Sequence, residues 1–118
     1  MLIKRAAVGS SQIHGLGLIA RQHIASGEIV DESPVLLTTS SVPRAFEAHV
    51  YRLRDRRAAM PCGDGVFTNH GADPNAAPRV DLRRKVMVLV ALRDIEPGEE
   101  VTIDYDGSIE RFQTPTGR

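Results

Sequence analysis

The stretch TNHGADPNAAP, Thr68–Pro78, sits in the second half of a 118-residue chain and carries more polar detail than a connection between strands needs. Gly71, Asp73, Pro74 and Asn75 are each turn formers, Gly through its tolerance of unusual φ, Pro through its fixed φ, Asp and Asn through side-chain bonds to nearby backbone. Turn chemistry does not call for Asn69 and His70 in front of them. That pair reads either as a loop cap with a surface imidazole or as a ligand-facing pair. A zinc role for His70 is disfavoured, because His14, His23 and His49 stand at no metal-site spacing from it.

Composition sets the bounds outside that loop. The chain is 42% hydrophobic and 25% charged, which is ordinary for one soluble globular domain with a single modest core. Its formal net charge is zero, so no global field favours nucleic acid or membrane. Lys4 and Lys85 are the only lysines; the other basic residues are Arg. A single cysteine, Cys62, excludes an internal disulfide framework and a Cys-rich zinc cluster. The apolar run Val86–Leu92 is too short to span a bilayer, and the N-terminus lacks a signal-peptide pattern. The expectation is a soluble, cytoplasmic protein.

Strand signals dominate. LIKRAAV (2–8), LGLIAR (16–21) and EIVDESPVLLTT (28–39) read as strands, with GSSQIHG as a loop and Gly27 supplying a turn. Pro34 places the third of these at a sheet edge or breaks it there. RVDL and KVMVLVAL form a hairpin turned by RRK, and the second arm, apolar on both faces, reads as buried. Pro97-Gly98 suits a type II turn before a last strand, VTIDY (101–105). Residues 43–60 change rhythm: Phe46, Val50 and Leu53 recur at i, i+4 and i+7, which predicts a helix between Pro43 and Pro61. On it, Tyr51 projects off the apolar stripe, and Arg52, Arg54, Arg56 and Arg57 read as a solvated face. The fold class is α+β, mostly β.

Two further stretches carry polar information. Gly15 and Gly17, in IHGLGLIA, either let main chain approach a ligand or simply turn the chain into a strand; with no third Gly and no following helix they are not a dinucleotide fingerprint. In GEEVTIDYD, Tyr105 ends an apolar strand, a place where Tyr is commonly half-buried with its hydroxyl at the rim.

Taken in order, HGLGLIARQHIASGEIV (14–30), NHGADPN (69–75) and GEEVTIDY (98–105) resemble the SET domain of protein-lysine methyltransferases, in its minimal stand-alone form. The resemblance implies a SET fold of several short sheets, with the C-terminal segment passing, pseudoknot-like, under the Asn-His loop. It implies one SET domain over residues 1–118, with a core of about 9–106 and a tail, 107–118, that completes the pocket. The donor would be S-adenosylmethionine, leaving as S-adenosylhomocysteine, with no metal. Asn69 would hold the methionine end of the donor, His70 would bond adenine through its backbone, and Gly15, Leu16 and Gly17 would bring main chain to the methionine portion. Phe112 would stack on adenine or close the channel. Tyr105 would be catalytic and would also touch the donor, while Tyr51 and Ile103 would line the lysine channel with it.

The chain departs from the family at three points. Gly71 stands where a Ser is usual, and Ile103 stands where some members have a channel aromatic, which bears on how many methyl groups are transferred. The Cys-rich zinc module that follows many members is missing, so Ile109 to Arg118 must cover the donor alone or with another subunit; a homodimer is one expectation. The implied partner is a protein with an exposed lysine, histone-like or ribosomal, drawn to the acidic residues Asp94, Glu96, Glu99, Glu100, Asp104, Asp106 and Glu110. No contact with nucleic acid or membrane is expected. The alternative is a catalytically weak SET-like module that holds the donor or a peptide.

Overall fold

The computed structural model describes residues 1–39, 41–53, 55, 57–105 and 113–114. In chain order the elements are strands β1 (Ala6–Ser10), β2 (Leu16–Ala20) and β3 (Ile29–Thr38); a 3-10 helix, η1 (Arg44–His49); β4 (Tyr51–Arg52) and β5 (Ala58–Pro61); a second 3-10 turn, η2 (Asp64–Phe67); then β6 (Asn69–His70), β7 (Ala76–Asp81), β8 (Val86–Ala91), β9 (Glu100–Ile103) and β10 (Gln113–Thr114). They make two sheets, with strand orders β1-β2-β9-β6 and β10-β7-β8-β3-β5-β4. No described helix is long and apolar enough to cross a membrane.

The strand signals translate closely. β8, apolar throughout, lies between β7 and β3 and is covered on both faces, as its composition predicts. The β7–β8 hairpin turns where expected, with Asp81 Oδ1 accepting the backbone N–H groups of Arg83 and Arg84. Gly98, at φ 86°, takes the position of a type II turn that only glycine adopts without strain. Pro34 breaks the strand in an instructive way. β3 pairs β8 from Ile29 to Pro34 and β5 from Val35 to Thr38. The residue without an N–H donor therefore stands where the strand passes from one partner to the other.

The helix expected over residues 43–60 does not form among the described residues. Of these only Arg44–His49 is helical, in the tighter 3-10 form, and Val50 is already extended at φ −102°, ψ 152°. A six-residue segment is too short to hold an α-helix on its own, and the β4–β5 pairing offers these residues a ladder instead. The supposed stripe is split as a result: Phe46 is 47% exposed while Leu53 is 3% exposed. Tyr51 reaches the core from a strand, not from the side of a helix. Within the basic run, Arg57 pairs with Asp55, while Arg54 and Arg56 lie outside the described residues.

Leu18, Ile24, Val30, Met87, Leu89, Ile95, Val101 and Ile103 form a fully buried core. β3 also buries two carboxylates. Asp31 meets Lys4 Nζ at 3.1 Å and accepts from Ser33 Oγ, yet burial pushes its pKa upward. Glu32 accepts from Arg84 Nη1 at 2.8 Å and from the Ile3 N–H at 3.0 Å. The hydrogen bond from Arg84, chiefly, holds the Glu32 carboxyl below the ordinary Glu value. A lowered folded pKa means that this contribution is complete above the unfolded Glu value and is lost as pH falls through the folded one. We expect Arg84→Met to lower stability modestly at neutral pH, Arg84 being half exposed, and by much less at acid pH, where Glu32 is protonated. Urea unfolding at the two pH values checks this.

Candidate active site

β6 is two residues long, and what holds it is β9. The strands run parallel, Asn69 beside Thr102 and His70 beside Ile103, and the Gly71 N–H donates to Ile103 O at 3.0 Å. Parallel neighbours cannot be joined by a tight turn, so the C-terminal strand has to arrive from elsewhere and lie between β2 and β6. The loop that follows β6 clamps it there. Asn75, 2% exposed, donates through Nδ2 to Glu100 O at 2.8 Å and to Glu99 Oε2, and accepts through Oδ1 from the Thr102 N–H at 2.9 Å. The Thr102 hydroxyl accepts the Asn75 N–H in return. Asn75 is thus a staple between loop and strand, more than a turn former. Asp73 and the Pro74 carbonyl face solvent-side Arg93, which bonds both.

Gly71 is explained by the same contact. A Cβ there would come within 2.8 Å of both Cβ and Oγ1 of Thr102. The hydroxyl that a Ser would bring to the loop is supplied from the strand side, by Thr102.

Asn69 reaches the other way. Its Nδ2 lies 2.9 Å from Glu100 Oε2, 3.1 Å from Ser11 Oγ, 3.2 Å from His14 O and 3.1 Å from Leu16 O. The β1–β2 loop, with Gly15 at φ 49° and open space where a Cβ would stand, is therefore tied by its carbonyls to the Asn-His strand. Gly17 has a different reason to be glycine: a Cβ would meet the Glu100 carboxylate at 2.4 Å. Gly15, Leu16, Gly17 and Asn69, far apart in sequence, are thereby assembled.

His70 accepts the Tyr105 N–H at Nδ1, 3.0 Å away, and the two rings stand 5.5 Å apart. The ring must therefore be unprotonated at Nδ1. The Tyr105 hydroxyl donates to the carbonyl of Thr68, the residue before β6. Burial raises the pKa of the Tyr105 phenol, and that of Tyr51 is raised by burial first and by Tyr105 second. Both stay neutral at physiological pH, able to donate and accept but not to act as phenolate bases. Ile103, paired with His70, is fully buried in the core. Phe112 lies outside the described residues, as do Asp106 and Glu110. No cluster of three or more metal-ligating side chains occurs among the described residues.

Ser11, Thr68 and Thr102 were not singled out individually by the sequence, and Glu100 was named only as one of the acidic residues expected to draw the substrate. Glu100 and Thr102 belong to the GEEVTIDY stretch and were visible in it as motif letters; Ser11 carried no signal beyond loop composition.

A profile of the SET domain matches residues 15–106. The human histone-lysine N-methyltransferase 2B is 33% identical over 90% of this chain, and the trithorax histone-lysine N-methyltransferase of Drosophila virilis is 31% identical over 89% of it. The chain spans only 4% and 3% of those two proteins. Among solved structures, a Plasmodium falciparum protein provisionally named a histone methyltransferase superposes with a TM-score of 0.80 at 26% identity, covering 90% of this chain and 96% of that one. A humanized mutant of the Chaetomium thermophilum Polycomb Repressive Complex 2 superposes with a TM-score of 0.73 at 25% identity, over 92% of this chain and 15% of that one.

The Gly71–Thr102 contact gives a direct expectation. Both atoms that a new Cβ would meet belong to a strand and its branched side chain, which cannot swing aside. Gly71→Ala should cost about 1–3 kcal/mol, the usual penalty of overpacking, read as a lowered urea midpoint with an unchanged m-value.

Proposed function

The chain belongs to the SET-domain family, and from that premise we propose that it transfers a methyl group from S-adenosylmethionine to the side-chain amine of a lysine in a protein. The observation that carries this reading is the Tyr105 phenol, kept neutral and held from both ends, by Thr68 O at its hydroxyl and by His70 at its backbone N–H.

The donor's chemical character fits the residues present. It is a zwitterionic amino acid joined to a largely apolar nucleoside. Asn69 Oδ1 accepts no hydrogen bond among the described residues and suits an ammonium group. Ile13 and Leu16, on the loop tied to Asn69, are 54% and 53% exposed and offer apolar surface. Gly15 leaves the main chain open to close approach. When bound, the donor supplies an electrophilic methyl on a sulfonium that leaves as the neutral thioether of S-adenosylhomocysteine.

Because the leaving group loses charge, the protein's task is to position two reactants and deliver an uncharged amine. Alignment of this kind supplies several kcal/mol. The incoming lysine sheds its proton more readily when desolvated, and Tyr51 and Tyr105 provide an aromatic wall for that. The Tyr105 oxygen, its proton committed to Thr68 O, has lone pairs left to accept an amine N–H and orient the nitrogen. The named relatives are histone-lysine methyltransferases, which favours a basic, lysine-rich tail as substrate over a ribosomal protein.

Calorimetric titration with S-adenosylmethionine, followed by transfer to a lysine-rich histone tail, tests the reading. The expected results are micromolar binding, measurable transfer, and for Tyr105→Phe a loss of turnover of about a hundredfold or more with donor binding kept within a fewfold. Donor binding without transfer to any lysine would make the chain a SET-like binding module. A fully active Tyr105→Phe would remove that hydroxyl from the mechanism.

A further inference from the structure

The proposed reaction leaves Glu100 unused, although it occupies the middle of the site. Its carboxylate lies 2.8 Å from Ser11 Oγ through both oxygens and 2.9 Å from Asn69 Nδ2 through Oε2. Among the described residues no Lys, Arg or His pairs with it. The chain keeps room for it by placing glycine at position 17. A carboxylate without a cation, built into a site, has a task other than an ion pair.

The task is legible in the Asn69 amide. Four oxygens surround one end of that side chain: a carboxylate oxygen, a hydroxyl already donating to the carboxylate, and two main-chain carbonyls. An amide nitrogen is attracted there and an amide oxygen repelled, so the group has one stable orientation. The strongest of the four is Glu100, because a charged acceptor bonds more tightly than a neutral one. Ser11 ties the carboxylate to the loop, since its hydroxyl also accepts the Ile13 and His14 N–H groups at 2.8 and 3.0 Å.

We infer that Glu100, with Ser11, is a positioning residue for the donor: it fixes the Asn69 amide with Nδ2 inward and Oδ1 outward, so that Oδ1 is presented to the ammonium group of a methionine-type ligand. This rests on the donor site proposed above. Replacing the carboxylate by an amide removes the strongest part of the bias, since a Gln side chain offers an N–H₂ group as readily as an oxygen, and Asn69 is then held in its orientation only by Ser11 and the two carbonyls.

The probes that separate this role from a structural one are S-adenosylhomocysteine and 5′-methylthioadenosine, which share the adenosine and the thioether but differ in the amino-acid end. Dissociation constants are measured for both on the wild type, Glu100→Gln, Asn69→Ala and the double variant, with unfolding curves alongside. Glu100→Gln should weaken S-adenosylhomocysteine by roughly tenfold or more, the size of a charge-assisted hydrogen bond, and leave 5′-methylthioadenosine binding essentially unchanged. The double variant should bind no worse than Asn69→Ala alone, because Glu100 acts through Asn69. Ser11→Ala should show the same pattern with a smaller loss, and serves if Glu100→Gln does not fold. Equal weakening of both ligands, no weakening of either, or additive losses in the double variant would each overturn the inference. A wild type that binds neither ligand would instead remove the donor site itself.

Discussion

Everything in this molecule depends on β9 being held between β2 and β6. That strand is four residues long, too short to be stable by itself, and neither neighbour adjoins it in sequence: β2 lies near the N-terminus and β6 in the second half of the chain. Asn75 is what makes the arrangement close. One buried amide meets the carbonyl of the first residue of β9 and the N–H of the third, so the strand is fixed in register as well as in place. A slip by one residue would turn Val101 and Ile103 out of the core. Register in β9 is therefore also register for Tyr105, two residues beyond its end.

Most of the sheet architecture was legible because it rests on local signals. The apolar run of β8, the RRK turn and Pro97-Gly98 announce themselves through composition and backbone preference, and Pro34 announced a break. Residues 43–60 misled because three apolar side chains at helical spacing do not say whether a helix forms; a neighbouring strand offered β4 and β5 backbone partners, a long-range effect that periodicity does not contain. The site was legible as motifs and not as contacts. Asn69, His70 and Tyr105 could be named, whereas the roles of Ser11, Thr68 and Thr102 depend on which atoms the fold brings together.

Gly71 and Thr102 illustrate how a departure from a family pattern is tied to the residue packed against it. A glycine in the loop removes a hydroxyl, but the threonine opposite supplies one and takes the vacated space. The two positions read as a pair, and neither can be judged alone. Glu100 and Gly17 form a second such pair, with the side chain of one occupying the volume the other lacks.

The place of β9 also has a consequence in time. Its pairing with β2 and β6 joins Leu18 to Val101, across most of the chain, and Asn69 to Thr102, across the whole β7–β8 hairpin. Loop-closure entropy must be met before such contacts return any energy, and topologies of this kind fold slowly. On a ribosome, the hairpins β1–β2 and β7–β8 can form as they emerge, but the contacts of Asn69 with Glu100 and of Tyr105 with Thr68 and His70 wait until residues 100–105 have been released. A chain stalled or cut before Glu100 would hold most of its strands and none of those contacts.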